Sequence, residues 1–144
     1  MTLEELMARE QIRDTIAAVS QAGDRLDLDN YVAAYTDDGI LQFRDVVNQG
    51  HEAIRKWIGR GIRAREKNPT HFVRHSVTST RIRLVAADRA EVYSYYHVYS
   101  HAGPDHFGDY RDVFEQCGDR WLIKHRIVGL DWVSPQSPHA PRQS

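Results

Sequence analysis

Eight histidines, twenty carboxylates and a single cysteine are the side chains in this sequence that could move protons or hold a metal. His75 stands out by its neighbours. Alternate residues of a strand share a face, so His75 lies with Val73 and Val77 while Arg74 and Ser76 point the other way. An imidazole on an apolar, inward face is a candidate general base, because its pKa is the one naturally near neutrality. The alternative is a buried histidine bonded to a backbone carbonyl, with no chemistry in it. Arg126 shares a strand face with Leu122, Lys124, Val128 and Leu130. Turned inward it could hold a developing oxyanion or a leaving carboxylate or hydroxyl; turned outward it would pair with Asp112 or Glu115. Tyr93, Tyr95 and Tyr99 share a face with His97 and His101, and Tyr96 lies opposite; tyrosine lines pockets and interfaces alike. Asp24 follows a helix, where the macrodipole does not favour a carboxylate, and like Asp27, Asp29, Asp37 and Asp38 it reads as a turn residue unless something pairs with it.

His97, His101, Asp105, His106 and Asp109 invite a metal reading, and spacing argues against it. Residues four apart on a strand are about 13 Å separated, whereas zinc needs every ligand about 2 Å from the metal. One cysteine, Cys117, excludes an internal disulfide and every multi-cysteine metal motif. The sequence has no Gly-x-Gly-x-x-Gly, phosphate loop or Gly-x-Ser-x-Gly. No metal and no cofactor are expected.

The elements that must carry these residues follow from pattern. Thr2 and Glu5 form a capping box for a helix with Ala8, Ile12, Thr15, Ile16 and Val19 on one stripe, ending at Gly23. Asp27 or Asp29 caps a second helix that buries Leu28, Tyr31, Val32 and Tyr35. Asp37-Asp38-Gly39 reads as a turn before a short strand over 40–43. Gly50 precedes a third helix with Ile54, Trp57, Ile58 and Ile62 on one face, closed by Lys67-Asn68-Pro69. Strands are expected over 72–85, 91–101, 107–117 and 121–132, with the inward face of the first switching between Val77 and Ile82, as at a bulge. Helices first and strands afterwards predict an α+β fold, one domain over 1–133, with a loose proline-rich tail over 134–144. Bulky residues on both strand faces suggest one face on the helices and the other on a second subunit, hence a homodimer or homotrimer. A net charge of -1 with scattered basic residues points away from nucleic acid. Nowhere do 18 apolar residues run together, and no signal-peptide core is visible, so no membrane span and a cytoplasmic location are expected.

Several local motifs then fall into a familiar order: Gly23-Asp24 with Tyr35-Thr36-Asp37-Asp38, then Gly50-His51-Glu52-Ala53-Ile54. Arg74-His75-Ser76-Val77-Thr78, Gly108-Asp109-Tyr110-Arg111-Asp112 and Trp121 through Arg126 follow. In that order the chain, over roughly 5–133, resembles the SnoaL-like branch of the nuclear transport factor 2-like superfamily. That branch is related to scytalone dehydratase, hexachlorocyclohexane dehydrochlorinase and bile-acid dehydratase. The resemblance implies a cone-shaped α+β barrel, with N-terminal helices packed on a curved antiparallel or mixed sheet. It also implies a dyad of Asp24 and His75, with Arg126 in the place of an arginine of the dehydrochlorinase. Catalytic relatives carry tyrosine or lysine five residues before the aspartate, where this chain has Val19.

These readings lead to a cofactor-independent lyase or isomerase acting on a small apolar or polycyclic molecule. His75 removes a proton from carbon, Asp24 holds the ring, and Arg126 or a tyrosine hydroxyl such as Tyr110 stabilises the anion or leaving group. Val19, Tyr31, Trp57, Tyr96 and Tyr110 are the expected substrate contacts. Two other classes remain open: a non-catalytic pocket for an apolar ligand or for oligomerisation, and a small subunit of a ring-hydroxylating oxygenase.

Overall fold

A computed structural model describes residues 1–67 and 72–138. Ten elements follow in the order α1 (Leu3–Asp24), α2 (Leu28–Ala33), β1 (Tyr35–Phe43), β2 (Val46–Gln49), α3 (His51–Glu66), β3 (Val73–Ala86), β4 (Arg89–Ser100), β5 (Gly103–Cys117), β6 (Arg120–Val128) and β7 (Trp132–Val133). The strands form one curved mixed sheet in the order β2-β1-β6-β5-β4-β3, with β7 added to β5. Among the described residues only β1 and β6 run parallel; β3 to β6 are the antiparallel meander that the sequence predicts. No helix among the described residues is long and apolar enough to cross a membrane.

The helices dock by the stripes their periodicity prescribes. In α1 the capping box is reciprocal, with Glu5 N donating to Thr2 Oγ1 at 3.1 Å and Thr2 N to Glu5 Oε2 at 2.8 Å. Ala8, Ile12, Thr15, Ile16, Val19 and Ala22 are its buried residues. Two polar side chains fix the helix on the sheet: Thr15 Oγ1 donates to Trp121 O at 2.7 Å, and Arg9 Nη1 to Ile82 O at 2.7 Å. The helix does not stop at Gly23. It runs to Asp24, and Leu26 takes the left-handed turn instead at φ 63°. Asp27 caps α2 through Asn30 N at 3.1 Å, and Tyr35 starts β1 rather than ending the helix. Gly50 precedes α3 at φ 86°, a value L-residues avoid. Of the expected terminator, Asn68 and Pro69 lie outside the described residues.

Strands take extra residues at three places, and at two of them a sequence expectation changes. Asp37-Asp38-Gly39 is not a turn but an irregularity inside β1, between the pairs Tyr35–Ile123 and Ile40–His125. In β3 the register shifts between Thr78 and Arg81, with Ser79 at φ 52°, which is the predicted switch of face. In β6 the pairing steps from Ile123 to His125, so Lys124 is extra. That slip puts buried Trp121, Ile123 and Arg126 on the inside and frees Lys124 to pair with Asp38 at the surface. The last strand also ends sooner than expected, at Val128. Gly129 presses against Gly108, where an added Cβ would lie 2.1 Å from Gly129 O, and the chain resumes as β7.

Two apolar clusters result. The larger holds the α1 stripe with Val32, Tyr35, Leu41, Ile54, Ile82, Val92, Phe114, Trp121 and Ile123. The smaller is Val73, Tyr96, Val98 and Tyr110. Val77 and Val128 pack against both.

Candidate active site

The smaller cluster is the floor of an open cavity of about 500 Å³. Its walls come from the end of α1, α2, α3 and the inner faces of β1, β3, β4, β5 and β6, with Trp57 and Ile58 of α3 facing Tyr96, Val98 and Tyr110 across it. His75 lies in this wall. Its Nδ1 is 2.7 Å from Asp24 Oδ1, and its backbone N donates to Asp24 Oδ2 at 3.0 Å. Asp24 therefore grips the histidine at ring and backbone together. The Asp24 side chain is 8% exposed and that of His75 26%, so the carboxylate is shielded while the ring reaches the cavity.

The helix end that carries Asp24 is bound to α3. Arg65 Nη2 donates to Gly23 O at 2.8 Å, joining Leu26 N, which donates to the same carbonyl at 3.3 Å, at the helix C-terminus. Burial pushes the Arg65 pKa down, against the opposing pull of the Asp24 charge. A guanidinium thus stands beside a carboxylate that the helix dipole alone would disfavour.

Arg126 points inward, one of the two orientations that the sequence leaves open, but it does not line the cavity. Its Nε and Nη2 donate to Asp112 Oδ1 and Oδ2 at 2.9 and 2.8 Å, and both side chains are closed off from solvent. The partner is the Asp112 that the sequence offered; the pair is buried rather than superficial. Burial disfavours the charge, yet Asp112 more than compensates and the guanidinium pKa rises well above its ordinary value. The Arg126 Cζ also sits 4.0 Å from the centroid of the Tyr110 ring. Tyr110 in turn stacks on Tyr96 at 4.5 Å. Burial raises the pKa of Tyr31, Tyr96 and Tyr110, with Arg126 pulling against it at Tyr31 and Tyr110. All three hydroxyls stay protonated and can only donate or accept as neutral groups. That of Tyr96 is occupied with Gly129 O at 2.7 Å.

Of the expected contact residues, Tyr31, Trp57, Tyr96 and Tyr110 line the cavity. Val19 does not. It is 1% exposed and packed in the larger cluster under α1, so the substrate contact expected there is absent. Among the described residues the cavity holds one further imidazole, that of His106, whose Nδ1 is 2.6 Å from Asp105 Oδ2. In the sequence these two residues stand out only as would-be metal ligands. Neighbours on a regular strand point to opposite faces, which hides such a pair from inspection. Among the described residues no three His, Cys, Asp or Glu side chains gather as a metal site would require.

A family model described as a SnoaL-like domain matches residues 4–127. No curated protein matches the sequence closely enough to count as a relative. Among solved structures, a protein of unknown function from Mycobacterium tuberculosis superposes with a TM-score of 0.79 at 22% identity, over 90% of this chain and 75% of that one. A nuclear transport factor 2-like protein with a cystatin-like fold from Novosphingobium aromaticivorans gives 0.77 at 21%, over 89% and 84%. The hexachlorocyclohexane dehydrochlorinase LinA-type3 from Novosphingobium barchaimii gives 0.79 at 16%, over 94% of each chain.

Proposed function

This chain belongs to the SnoaL-like domain family, and from that premise we propose that it is a cofactor-independent lyase or isomerase acting on a small apolar or polycyclic molecule. The observation that carries the reading is the 2.7 Å bond between His75 Nδ1 and a shielded Asp24, with the histidine ring in the wall of an apolar cavity.

With Nδ1–H donating to Asp24, the lone pair of His75 is on Nε2. That nitrogen takes a proton from a carbon of the bound molecule, and the resulting imidazolium is stabilised by Asp24. The electron pair left on carbon delocalises onto an adjoining carbonyl oxygen. Tyr110, protonated and backed by the Arg126 charge, donates to that oxygen; Arg126 thus acts through the tyrosine ring, as a positioning residue. The proton on His75 then leaves to a departing hydroxyl, releasing water, or to a second carbon, completing an isomerisation. A base so placed contributes about 10²–10⁴ in rate. The hexachlorocyclohexane dehydrochlorinase among the structural neighbours shares the fold.

The test is proton exchange into bicyclic and tricyclic ketones in D₂O, with 2-tetralone first, followed by ¹H NMR. The native chain should accelerate loss of the acidic C–H signal, and His75→Ala should abolish the acceleration. Exchange that survives His75→Ala, or its absence with every ketone, would refute the reading. Val19, apolar and buried away from the cavity, favours a second reading as a non-catalytic binding pocket, which predicts that the ketones bind without exchanging. The outer sheet face exposes Tyr93, Tyr95, Tyr99, Phe107 and Trp132, and a homodimer or homotrimer that covers it should give a multiple of 16.6 kDa by light scattering.

A further inference from the structure

His106 and Asp105 are held with as much care as the first dyad, and the mechanism above leaves them without work. Asp105 is the extra residue of a bulge in β5: Val98 pairs with His106 and Tyr99 with Pro104, which leaves Asp105 unmatched. A bulge re-aims a side chain that a regular strand would send to the other face. Here it turns Asp105 toward its own neighbour, 2.6 Å from His106 Nδ1, and buries the carboxylate completely. The segment after β7 secures it. Ser137 Oγ donates to Asp105 Oδ2 at 2.6 Å, and Ser134 N donates to Asp105 O at 2.7 Å. Residues 134–138 are thereby tied to the sheet, unlike the loose tail the sequence suggests; residues 139–144 lie outside the described residues.

His106 also lies in register with His75. His75 pairs with Val98 on β4, and Val98 with His106 on β5. Directly opposed residues face the same side of a sheet, so the two histidines share one row with Val98 between them. Two strand spacings set their Cα atoms roughly 10 Å apart. Both rings line the same cavity. Burial lowers the His106 pKa, Asp105 opposes the shift, and a charge on His75 adds to it. Near neutral pH the His106 ring is therefore uncharged, with Nδ1–H on Asp105 and a lone pair on Nε2.

We propose that His106, oriented by Asp105, is a second proton-accepting station of the cavity: its Nε2 receives a hydroxyl of the bound molecule while His75 faces the C–H that reacts. The inference rests on the proposed chemistry at His75 and narrows its substrate class to hydroxylated apolar ring compounds. Tyr96 stands edge-on to the His106 ring at 6.0 Å and supplies an aromatic wall for such a ring.

The probes are 2-naphthol, which can donate, and 2-methoxynaphthalene, which cannot, titrated into the full chain labelled with ¹⁵N-histidine. In the native protein His106 should show the Nδ1–H tautomer at pH 7.5, and its Nε2 signal should move with 2-naphthol and not with the ether. Binding should favour the naphthol about 2- to 10-fold, the value of one neutral hydrogen bond. His75→Asn should keep that preference and His106→Asn should lose it. A preference that follows His75, an Nε2–H tautomer at His106, or equal affinity for the two probes (including none) would overturn the proposal. The NMR arm uses the native chain, so it decides even where His106→Asn fails to fold. Ketone exchange intact with no naphthol preference would remove His106 alone, whereas lost exchange with the preference retained would remove the His75 reading.

Discussion

Replacing Asp112 with alanine should unfold this protein more readily than any change at its surface. Arg126 and Asp112 are joined by two hydrogen bonds of 2.9 and 2.8 Å with essentially no solvent access. Removing the carboxylate leaves a guanidinium that cannot shed its charge, buried among Tyr35, Tyr110 and the sheet, with two donors unmet. Breaking a buried pair from one side costs about 3–5 kcal/mol. At about 2.1 cal/mol/K per residue the unfolding entropy of 144 residues is about 0.3 kcal/mol/K, so Tm should fall by about 10–17 °C. Urea denaturation of Asp112→Ala gives the free energy, and calorimetry the temperature. The doubly apolar variant Asp112→Leu/Arg126→Met should recover most of the loss, because two well-packed apolar groups need no mutual compensation. A loss under about 1 kcal/mol in the single variant, or a double variant as unstable as the single, would refute the view that the pair is a desolvated charge couple.

Asp24→Asn should cut ketone exchange by about 10²–10⁴ with little change in KM, since the amide keeps the shape of the contact and loses the charge that stabilises the imidazolium; a comparable fall in affinity would mean that Asp24 binds substrate instead. Gly108→Ala should cost at least about 2 kcal/mol in urea, because the new Cβ meets backbone at 2.1 Å and neither chain can yield. The lowered pKa of His106 means that the unfolded chain binds its proton more readily, so stability should be fully present above about pH 6.5 and be lost as pH falls toward the lower folded value. The urea midpoint followed against pH should show this slope in the native chain and a shallower one in His106→Asn; Asp105, whose pKa is also lowered, contributes only in the more acidic carboxylate range.

Much of this fold is written in local pattern. The α1 stripe, the cap at Thr2, the α3 face and the meander all follow from periodicities that one stretch of chain displays by itself. His75 and the face it occupies were legible for the same reason. What escaped inspection came from insertions into strands. The extra residues around Asp37-Asp38-Gly39, at Lys124 and at Asp105 each shift a register, and only the partner strand determines where the slip falls. On that account the sequence pattern puts Lys124 on the face of Arg126, and nothing in it marks Asp105 as the partner of His106. Val19 shows a different limit. A position near Asp24 in sequence was expected to reach the ligand, but on a helix five residues upstream it faces the core. Asp24 and His75 are 51 residues apart, and nothing local to either indicates the other.

The partition of the apolar interior into two clusters bears on how this scaffold can diverge. Val77 and Val128 pack against both clusters, and one strand, β3, serves both because its bulge turns the chain over between them. Substitutions at Val73, Tyr96, Val98 or Tyr110 reshape the chamber while the packing under α1 keeps its own neighbours. Drift in specificity can therefore proceed along one end of the sheet with the structural reserve lodged at the other, and a descendant can exchange its ligand without first rebuilding its foundations.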